Sequence, residues 1–343
     1  MSIHRSCGWL AAACVLLCIC TPALAAVRAD SPYGVHSMVY ANAPSSFKDA
    51  MFREAAALGA SSVRVDVSVG AIAPSGTERR WGSLDEYLAL ARRYRIQVVG
   101  VLLGTPWWLA KCPPGTLEYY KCPVADSRAY ARLLGEIAAR SRGVIDDWEI
   151  RNEPDGDWAY LGTAKDYARE LRDAAAAIHE ANPRARVLMG GVMTLDSRLW
   201  LGAVFKAGGA ASIDVANVHV RGPVASLGRI MRRWRAFFDR HGVDGPIWVT
   251  EHGYPSDPLY QSDRGFRGGE RAQAAYLARS IPALLRGGAA RVFVTERDNL
   301  AGSFASEGFL GGTVADPPVA DPAVRRKPAA EAYREVIRYS RSS

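Results

Sequence analysis

The amino-acid sequence predicts an α/β fold that consists of a single (β/α)8 TIM barrel, and three observations carry this prediction. Short apolar runs alternate with segments of helical periodicity along the chain, which is the pattern of βα units around a parallel sheet. Behind an N-terminal leader, roughly 317 of the 343 residues remain, and one barrel domain commonly exceeds about 250 residues. No low-complexity segment or Pro/Ser-rich linker divides this part. We therefore expect one barrel domain over residues 27–343.

The leader, residues 1–26, is predicted to be a secretory signal peptide. A basic start with His4 and Arg5 precedes an apolar stretch at 9–20, and small residues follow at 23–26. No later segment reaches the run of about 18 apolar residues that a membrane helix requires. We therefore expect a secreted protein, extracellular or periplasmic, without a membrane span.

Four βα units form the first half of the predicted barrel. Its strands are the short apolar runs 33–40, 62–69, 97–103 and 147–151. Helical periodicity follows them at 47–57, 84–94, 127–140 and 164–182. Asp126 is the expected N-cap of the third helix, because its side chain can accept hydrogen bonds from the first backbone N–H groups.

The second half repeats the alternation. Its predicted strands are 186–193, 215–220, 247–250 and 291–295, and its predicted helices are 199–205, 227–238, 270–285 and 329–339. The helix at 227–238 is strongly amphipathic and basic, as expected for a helix on the outside of a barrel. Eight strands and eight helices in alternation are the number that closes this fold.

Two glutamates stand where predicted strands end. Glu153 lies in the segment WEIRNEP after strand four, and Glu251 lies in WVTEHG after strand seven. The C-terminal strand ends of a barrel carry its chemistry, and a pair of carboxylates is what hydrolysis of a glycosidic bond requires. The two positions are 98 residues apart, which corresponds to three βα units of about 33 residues. Strands four and seven face each other across the barrel mouth, so the two carboxylates can meet.

The cysteines predict one local disulfide. Four of the six belong to the leader, and Cys112 and Cys122 lie ten positions apart in one loop. In an exported protein this spacing favours a disulfide over a free thiol pair. Half of a zinc site is the other alternative, but no histidine lies nearby to complete it.

The formal net charge of +8 is spread over predicted helical faces. Such scattered arginines indicate a solvated basic surface, and they carry no motif for nucleic acid, which we do not expect as a partner. Attraction to acidic polymers such as uronic-acid glycans is a weaker possibility.

The motif Asn152-Glu153-Pro154, joined to Glu251 at this spacing, resembles clan A glycoside hydrolases, in particular family 39-like enzymes and the family 5 cellulase-like group. Smaller matches extend the resemblance over most of the barrel, namely VRVDVS at 63–68, TPWW at 105–108, His219 after strand six, QAAYL at 273–277 and Lys327-Pro328.

This resemblance implies retaining hydrolysis of an oligo- or polysaccharide by double displacement, with Glu153 as acid/base and Glu251 as nucleophile. Asn152 would bind the sugar 2-hydroxyl, and His219 would orient the nucleophile or contact the sugar. Arg64 is the expected cationic neighbour of Glu251, although an inward arginine can also be a pure scaffold. No cofactor and no metal are expected, despite the nearness of His252 to Glu251.

Three departures from the family pattern bear on the substrate. Arg221 stands two residues after His219, where many clan A members have an aromatic residue. The segment 293–298 lacks the tryptophan that usually ends strand eight, so Phe293, Arg297 or a loop residue would replace it as a sugar contact. The chain has no room for the β-sandwich that family 39 enzymes usually append. Arg221, Arg297 and the basic balance favour an acidic or substituted glycan.

Aromatic residues in loops on the predicted catalytic face are candidate platforms for sugar stacking. They are Trp107, Trp108, Trp158 and Tyr254. The glycine-rich segment 265–269 is either a lid over the site or a surface loop.

Two alternative functions use the same residues. One is a non-catalytic glycan-binding pseudo-glycosidase, and the other is a transglycosylase in which a sugar replaces water. The sequence leaves exo or endo action, the sugar and the oligomeric state open.

Overall fold

A computed structural model describes residues 31–37, 41–257, 268–298, 305–311 and 324–342. The predicted signal peptide, the end of the first predicted strand at 38–40 and residues 265–267 of the glycine-rich segment lie outside this part of the chain.

Eight parallel strands form the predicted barrel. They are β1 Tyr33–His36, β2 Ser62–Ser68, β3 Gln97–Leu103, β4 Asp147–Ile150, β5 Arg186–Met189, β6 Ala216–His219, β7 Ile247–His252 and β8 Ala289–Thr295. Their order is β5-β4-β3-β2-β1-β8-β7-β6. Parallel bridges from Leu188 to Val215 and from Val192 to Val218 connect the two ends of this order, so the sheet closes on itself. The fold prediction is therefore confirmed.

The helices cover the outside of the barrel. Those described are α1 Ser45–Leu58, α2 Val69–Ile72, α3 Gly82–Tyr94, α4 Ser127–Ser141, α5 Ala164–Ala181, α6 Arg198–Lys206, α7 Val224–Asp239, α8 Gly269–Arg286 and α9 Pro328–Ser342. The short helix α2 was not predicted. It begins directly after β2, where the Ser68 hydroxyl accepts a hydrogen bond from the Ala71 backbone. A small antiparallel pair, β9 Leu310–Gly311 and β10 Arg325–Arg326, lies after β8.

Local sequence explains the ends and faces of these helices. Asp126 accepts hydrogen bonds from two backbone N–H groups at the start of α4, as predicted. Helix α7 buries Leu227, Met231, Trp234 and Phe238, which recur at helical spacing, and its arginines face outward. The barrel prediction from periodicity therefore rests on the same residues that pack the helices onto the sheet.

The barrel interior is built in layers below the mouth. An ion-paired layer lies at the bottom, where Asp147 binds Arg186 with both oxygens at 2.7 and 2.9 Å. Above it lies an apolar cluster of inward-facing residues, namely Val99, Leu188, Val215, Trp248 and Phe293. Polar side chains follow at the upper ends of the strands. The apolar cluster therefore forms a floor beneath the polar mouth.

The loop between β3 and α4 contains the predicted disulfide. Cys112 and Cys122 are bonded, with their Cα atoms 6.1 Å apart. Among the described residues, no helix is both long enough and apolar enough to cross a membrane.

Candidate active site

A cavity of about 1330 Å³ opens at the C-terminal ends of the strands. The side chains of both glutamates line it, together with His36, Arg64 and His219. Each belongs to a different strand or to the loop that follows it, which is why residues distant in sequence meet at this face.

Glu153 and Glu251 face each other across this cavity. One carboxylate oxygen of each and a ring nitrogen of His219 lie within 4.8 Å of one another. The His219 Nδ1 atom is 2.8 Å from Glu153 Oε1 and 3.5 Å from Glu251 Oε2. Retaining glycosidases place their carboxyl groups about 5–5.5 Å apart and inverting ones about 6.5–9.5 Å. The spacing of the two carboxylates agrees with the shorter of these separations.

The two oxygens of Glu251 each have a guanidinium neighbour. Arg64 Nη1 donates to Oε1 at 3.0 Å, and Arg221 Nη2 donates to Oε2 at 3.3 Å. Burial raises the pKa of Glu251, but the charges of His219, His36, Arg64 and Arg221 outweigh it and hold the pKa well below its ordinary value. Burial also lowers the pKa of His36 to about 3, so this ring is neutral and the guanidinium groups supply the lasting positive charge.

Those guanidinium groups also bear on metal binding. Glu153, His219 and Glu251 have the donor types and the spacing of a cation site. Arg64 and Arg221, however, already place a positive charge next to each oxygen of Glu251. A divalent cation at the same oxygens would be repelled at close range, so the donor set does not favour a metal.

Arg64 connects three parts of the site. Its side chain is 1% exposed and donates to both oxygens of Glu149, at 2.8 and 2.9 Å. It also donates to Asn152 Oδ1 at 2.6 Å, in addition to its bond to Glu251. Arg64 is therefore both a scaffold and a neighbour of the carboxylate pair. Because the Asn152 oxygen is occupied, the amide nitrogen remains as the donor of this cavity residue.

Glu153 stands on a strained turn after β4. Its φ is 44°, and that of Arg151 is 63°, a left-handed conformation that side chains other than glycine rarely adopt. The Glu153 backbone N–H donates to the Gly191 carbonyl at 3.1 Å. Trp158 Nε1 donates to Glu153 Oε2 at 2.9 Å, so both oxygens of this carboxylate are held.

A buried network behind the cavity stabilises this turn. Arg151 donates to Glu170 at 2.7 Å and to Thr105 at 2.9 Å, and its guanidinium lies over the Tyr160 ring at 4.5 Å. Glu170 also accepts from the Tyr160 hydroxyl at 3.0 Å and from the Val124 backbone at 2.9 Å. Satisfied charge-assisted bonds of this kind can hold a strained backbone in place.

The pKa of Glu153 is set by opposing effects. Burial raises it, while the hydrogen bond and charge of His219 lower it, and the net direction is downward. The charge of Glu251 raises it, and Trp158 lowers it. No guanidinium contacts Glu153 among the described residues. Its pKa is therefore lowered less than that of Glu251, and Glu153 is the member of the pair that holds a proton to the higher pH.

Gly191 provides the space that His219 occupies. A Cβ atom at position 191 would lie 2.1 Å from the His219 Nε2 atom. The predicted fifth strand, 186–193, ends earlier than expected, at Met189, and Val192 beyond it forms a single parallel bridge to Val218. The Gly191 N–H donates to Glu149 at 3.0 Å, and its carbonyl accepts from Glu153.

Arg221 is bound by a second carboxylate. Its Nε and Nη2 atoms donate to the two oxygens of Glu307 at 2.8 and 2.9 Å. The expectation that Arg221 attracts an acidic glycan therefore needs correction, because two carboxylates of the protein already engage it.

Four predicted sugar contacts lie outside the cavity that the described residues form. Arg297 is 2% exposed and lies over the Phe47 ring at 5.1 Å, so it packs between β8 and α1. Tyr254 is buried against Tyr276, with ring centroids 4.8 Å apart. Trp107, which is 62% exposed, and Trp108 donate to the carbonyls of the 73–74 turn at 2.8 and 3.0 Å. The structure brings none of the four to the carboxylate pair.

Some residues in or next to the cavity were not predicted as part of the site. The inward alternation of β1 and β4 would have indicated His36 and Glu149. Glu307 lies in an irregular segment after β8, and no sequence pattern points to it. Asp66 lines the cavity, and burial raises its pKa to about 7 against the effect of Arg64, while Glu251 and Glu149 raise it further.

Comparisons with known proteins agree with the barrel. No protein-family model and no curated protein matches the chain. A solved family 39 glycoside hydrolase from the gut symbiont Bacteroides cellulosilyticus WH2 is similar, with a TM-score of 0.68 and 18% identity over 90% of this chain and 64% of that one. The chain shares its barrel fold with this solved glycoside hydrolase.

Two further solved structures are similar over most of the chain. A family 39 β-xylosidase from Caulobacter crescentus has a TM-score of 0.66 at 17% identity. The matched region covers 89% of this chain and 71% of the xylosidase chain. A GH5_18 protein from Streptomyces cattleya in complex with GlcNAc has a TM-score of 0.64 at 19% identity. The matched region covers 91% of this chain and 82% of the Streptomyces chain. At these identities the likeness shows the fold alone. The chain also spans only 64% of the length of the Bacteroides protein.

Proposed function

We propose that this protein is a retaining glycoside hydrolase that cleaves O-glycosidic bonds of an oligo- or polysaccharide by double displacement. The observation that carries the proposal is the pair Glu153 and Glu251. One carboxylate oxygen of Glu153 lies within 4.8 Å of one of Glu251, and the two carboxylates have different neighbours. Fold and site chemistry agree with the resemblance in the sequence. No cofactor takes part in the proposed reaction.

In the first step, Glu251 acts as the nucleophile. Its guanidinium neighbours keep it ionised, so it can attack the anomeric carbon. Glu153 donates its proton to the glycosidic oxygen as the bond to the leaving group breaks. The products of this step are a glycosyl ester on Glu251 and the released alcohol.

In the second step, the roles of Glu153 reverse. Esterification removes the negative charge of Glu251, which had raised the pKa of Glu153. The pKa of Glu153 therefore falls, and its carboxylate accepts a proton from the attacking water. The new bond between water and the anomeric carbon releases Glu251 as a carboxylate.

Two neighbours are proposed to bind the sugar at this centre. Asn152 is oriented by Arg64 so that its amide nitrogen is the available donor, which suits the 2-hydroxyl. Trp158 lines the cavity and holds Glu153 by its indole N–H. With Arg221 engaged and Arg297 buried, we propose no preference for acidic sugars.

We further propose that the protein is exported, on the strength of the leader at residues 1–26. The disulfide between Cys112 and Cys122 is consistent with an oxidising compartment.

Covalent trapping tests the proposed function. A panel of 2,4-dinitrophenyl 2-deoxy-2-fluoro-β-glycosides is incubated with the protein, and labelled peptides are identified by mass spectrometry. We expect one sugar per chain on Glu251 and none in Glu251→Gln. The matched control Glu331→Gln changes an exposed glutamate of α9 and should label normally.

Other outcomes would change the proposal. Binding of a glycan without any labelling, and without hydrolysis, would favour the non-catalytic binder. Labelling of a carboxylate other than Glu251 would overturn the assignment of roles. A label that an added sugar acceptor removes much faster than water does would identify a transglycosylase.

A further inference from the structure

The pair formed by Arg221 and Glu307 lies at the Oε2 atom of Glu251, as the pair formed by Arg64 and Glu149 lies at Oε1. The side chains of Arg221 and Glu307 are largely buried, with 10% and 1% exposure. Glu307 binds Arg221 with two bonds of 2.8 and 2.9 Å, and Arg221 then reaches Glu251 at 3.3 Å. The shorter bonds show that Glu307 determines where the guanidinium lies. A bidentate bond also fixes the plane of the guanidinium, which a single bond does not.

The charge of Glu251 itself changes during the proposed reaction. In the free enzyme and in the product state, Glu251 is an anion and Arg221 stabilises it. In the glycosyl ester Glu251 is neutral, so most of this stabilisation is absent. A fixed cation therefore favours the free carboxylate over the ester.

Resting on the proposed function, we infer that Arg221, positioned by Glu307, makes Glu251 a better leaving group and prevents the glycosyl ester from accumulating. In the second step the bond between the anomeric carbon and Glu251 breaks, and its electron pair returns to the carboxylate beside Arg221. Water forms the new bond to the carbon, and its proton goes to Glu153. Arg221 and Glu307 are positioning residues, because they act through Glu251.

Glu307 has a second consequence for the first step. An arginine without a counter-charge would bind Glu251 more strongly and would make it a weaker nucleophile. The negative charge of Glu307 offsets this effect, while its two hydrogen bonds keep the guanidinium from moving closer to Glu251. The pair therefore balances attack in the first step against departure in the second.

Rapid-mixing kinetics separates these two steps. The substrate is the 2,4-dinitrophenyl β-glycoside whose fluorinated analogue labels Glu251, and the signal is released dinitrophenolate. We expect no burst in the unaltered protein. In Arg221→Met, a burst of about one equivalent should precede a steady state that is about 10- to 100-fold slower, because a charge-assisted bond is lost in the second step. The value of kcat/KM should change much less than kcat.

Three further variants sharpen this test. Arg221→Lys keeps the charge and should show little or no burst. Glu307→Gln leaves Arg221 without its counter-charge and should lower kcat/KM without a burst, the opposite pattern to Arg221→Met. The double variant Arg221→Gln with Glu307→Gln leaves neither charge buried alone, so it guards against a failure to fold, and it should show the burst.

The control variant for this test lies outside the cavity. Arg140→Met removes an arginine from an exposed ion pair outside the cavity and should behave like the unaltered protein. Equal losses of kcat and kcat/KM in Arg221→Met without a burst would overturn the inference, and so would a full burst in the unaltered protein. Absence of both labelling and turnover in the unaltered protein would instead refute the proposed function, and the inference with it.

Discussion

The two glutamates at the barrel mouth are the same residue type at similar positions, yet their surroundings differ in kind. Glu251 lies within strand β7 and has a guanidinium beside each oxygen. Glu153 stands on a left-handed turn and is held by a neutral indole and by His219. The surroundings of Glu251 keep its carboxylate ionised, and the surroundings of Glu153 allow its carboxyl group to be protonated and deprotonated. In the proposed reaction, the neighbours of each glutamate, rather than its residue type, therefore assign the roles of nucleophile and acid/base.

The largest expected effect distinguishes the two glutamates by leaving group. Glu251→Gln should lower turnover about 10⁴-fold or more with every substrate, because no nucleophile remains. Glu153→Gln should lose about 10²- to 10⁴-fold in kcat/KM with a poor leaving group, and far less with dinitrophenolate, which needs no proton. Initial rates with a series of aryl glycosides measure this dependence. If Glu251→Gln showed the dependence instead, the roles would be reversed.

The arginine beside Glu251 should matter for stability as well. Arg64→Met leaves Glu149 buried without its ion-pair partner and should lower the free energy of unfolding by about 3–5 kcal/mol. The control Arg79→Met breaks a more exposed pair with Glu136 and should lower it by about 1 kcal/mol at most. Urea unfolding of both variants provides the comparison. Equal losses would mean that the buried network at the mouth adds no particular stability.

The link between the two environments is His219, and its position can be disturbed from Gly191. Gly191→Ala places a methyl group where the His219 ring lies, so the ring must move away from Glu153. We expect kcat to fall about 10- to 100-fold, since small displacements of a catalytic group have effects of this size. Gly202→Ala is the matched control, because this glycine lies outside the cavity and a Cβ there would lie 4.0 Å from the His241 Nε2 atom, an ordinary contact. An unchanged kcat in Gly191→Ala would argue against a role for His219.

The smallest expected effect concerns Asp66, the third carboxylate near this centre. Its pKa is raised to about 7 in the folded protein, so its contribution to stability is present at low pH and is lost as the pH rises through 7. Asn does not titrate. Asp66→Asn should therefore raise the melting temperature relative to the unaltered protein by about 2–5 °C at pH 8, and by less at pH 5. A gain that is larger at pH 5 would show that the carboxylate is not destabilised by burial.

The sequence predicts the barrel well because periodicity reports which face of each element is buried. It also predicts the glutamate pair, since strand ends of a barrel converge on one face. The sequence does not predict the direction in which a side chain points beyond a strand end. Arg297 follows β8 as expected but turns onto Phe47 of α1, and Tyr254 follows β7 but packs on Tyr276 of α8. These outcomes depend on the space between helices, which no local pattern records.

The contacts of Arg221 illustrate the same limit. Its position after His219 is visible in the sequence, and so is its departure from the aromatic residue expected there. Its partner Glu307 lies 86 positions further along the chain, in a segment without periodicity. Only the folded structure shows that this arginine contacts Glu251 and Glu307.

Azide rescue tests the central claim most directly, because it examines both glutamates in one measurement. The Ala variants of Glu153 and Glu251 are each incubated with a 2,4-dinitrophenyl β-glycoside and azide, and the product anomer is determined by proton NMR. The account predicts a β-glycosyl azide from Glu153→Ala, where azide replaces water in the second step. It predicts an α-glycosyl azide from Glu251→Ala, where azide replaces the nucleophile. The opposite assignment of anomers, or inverted products from both variants, would contradict it.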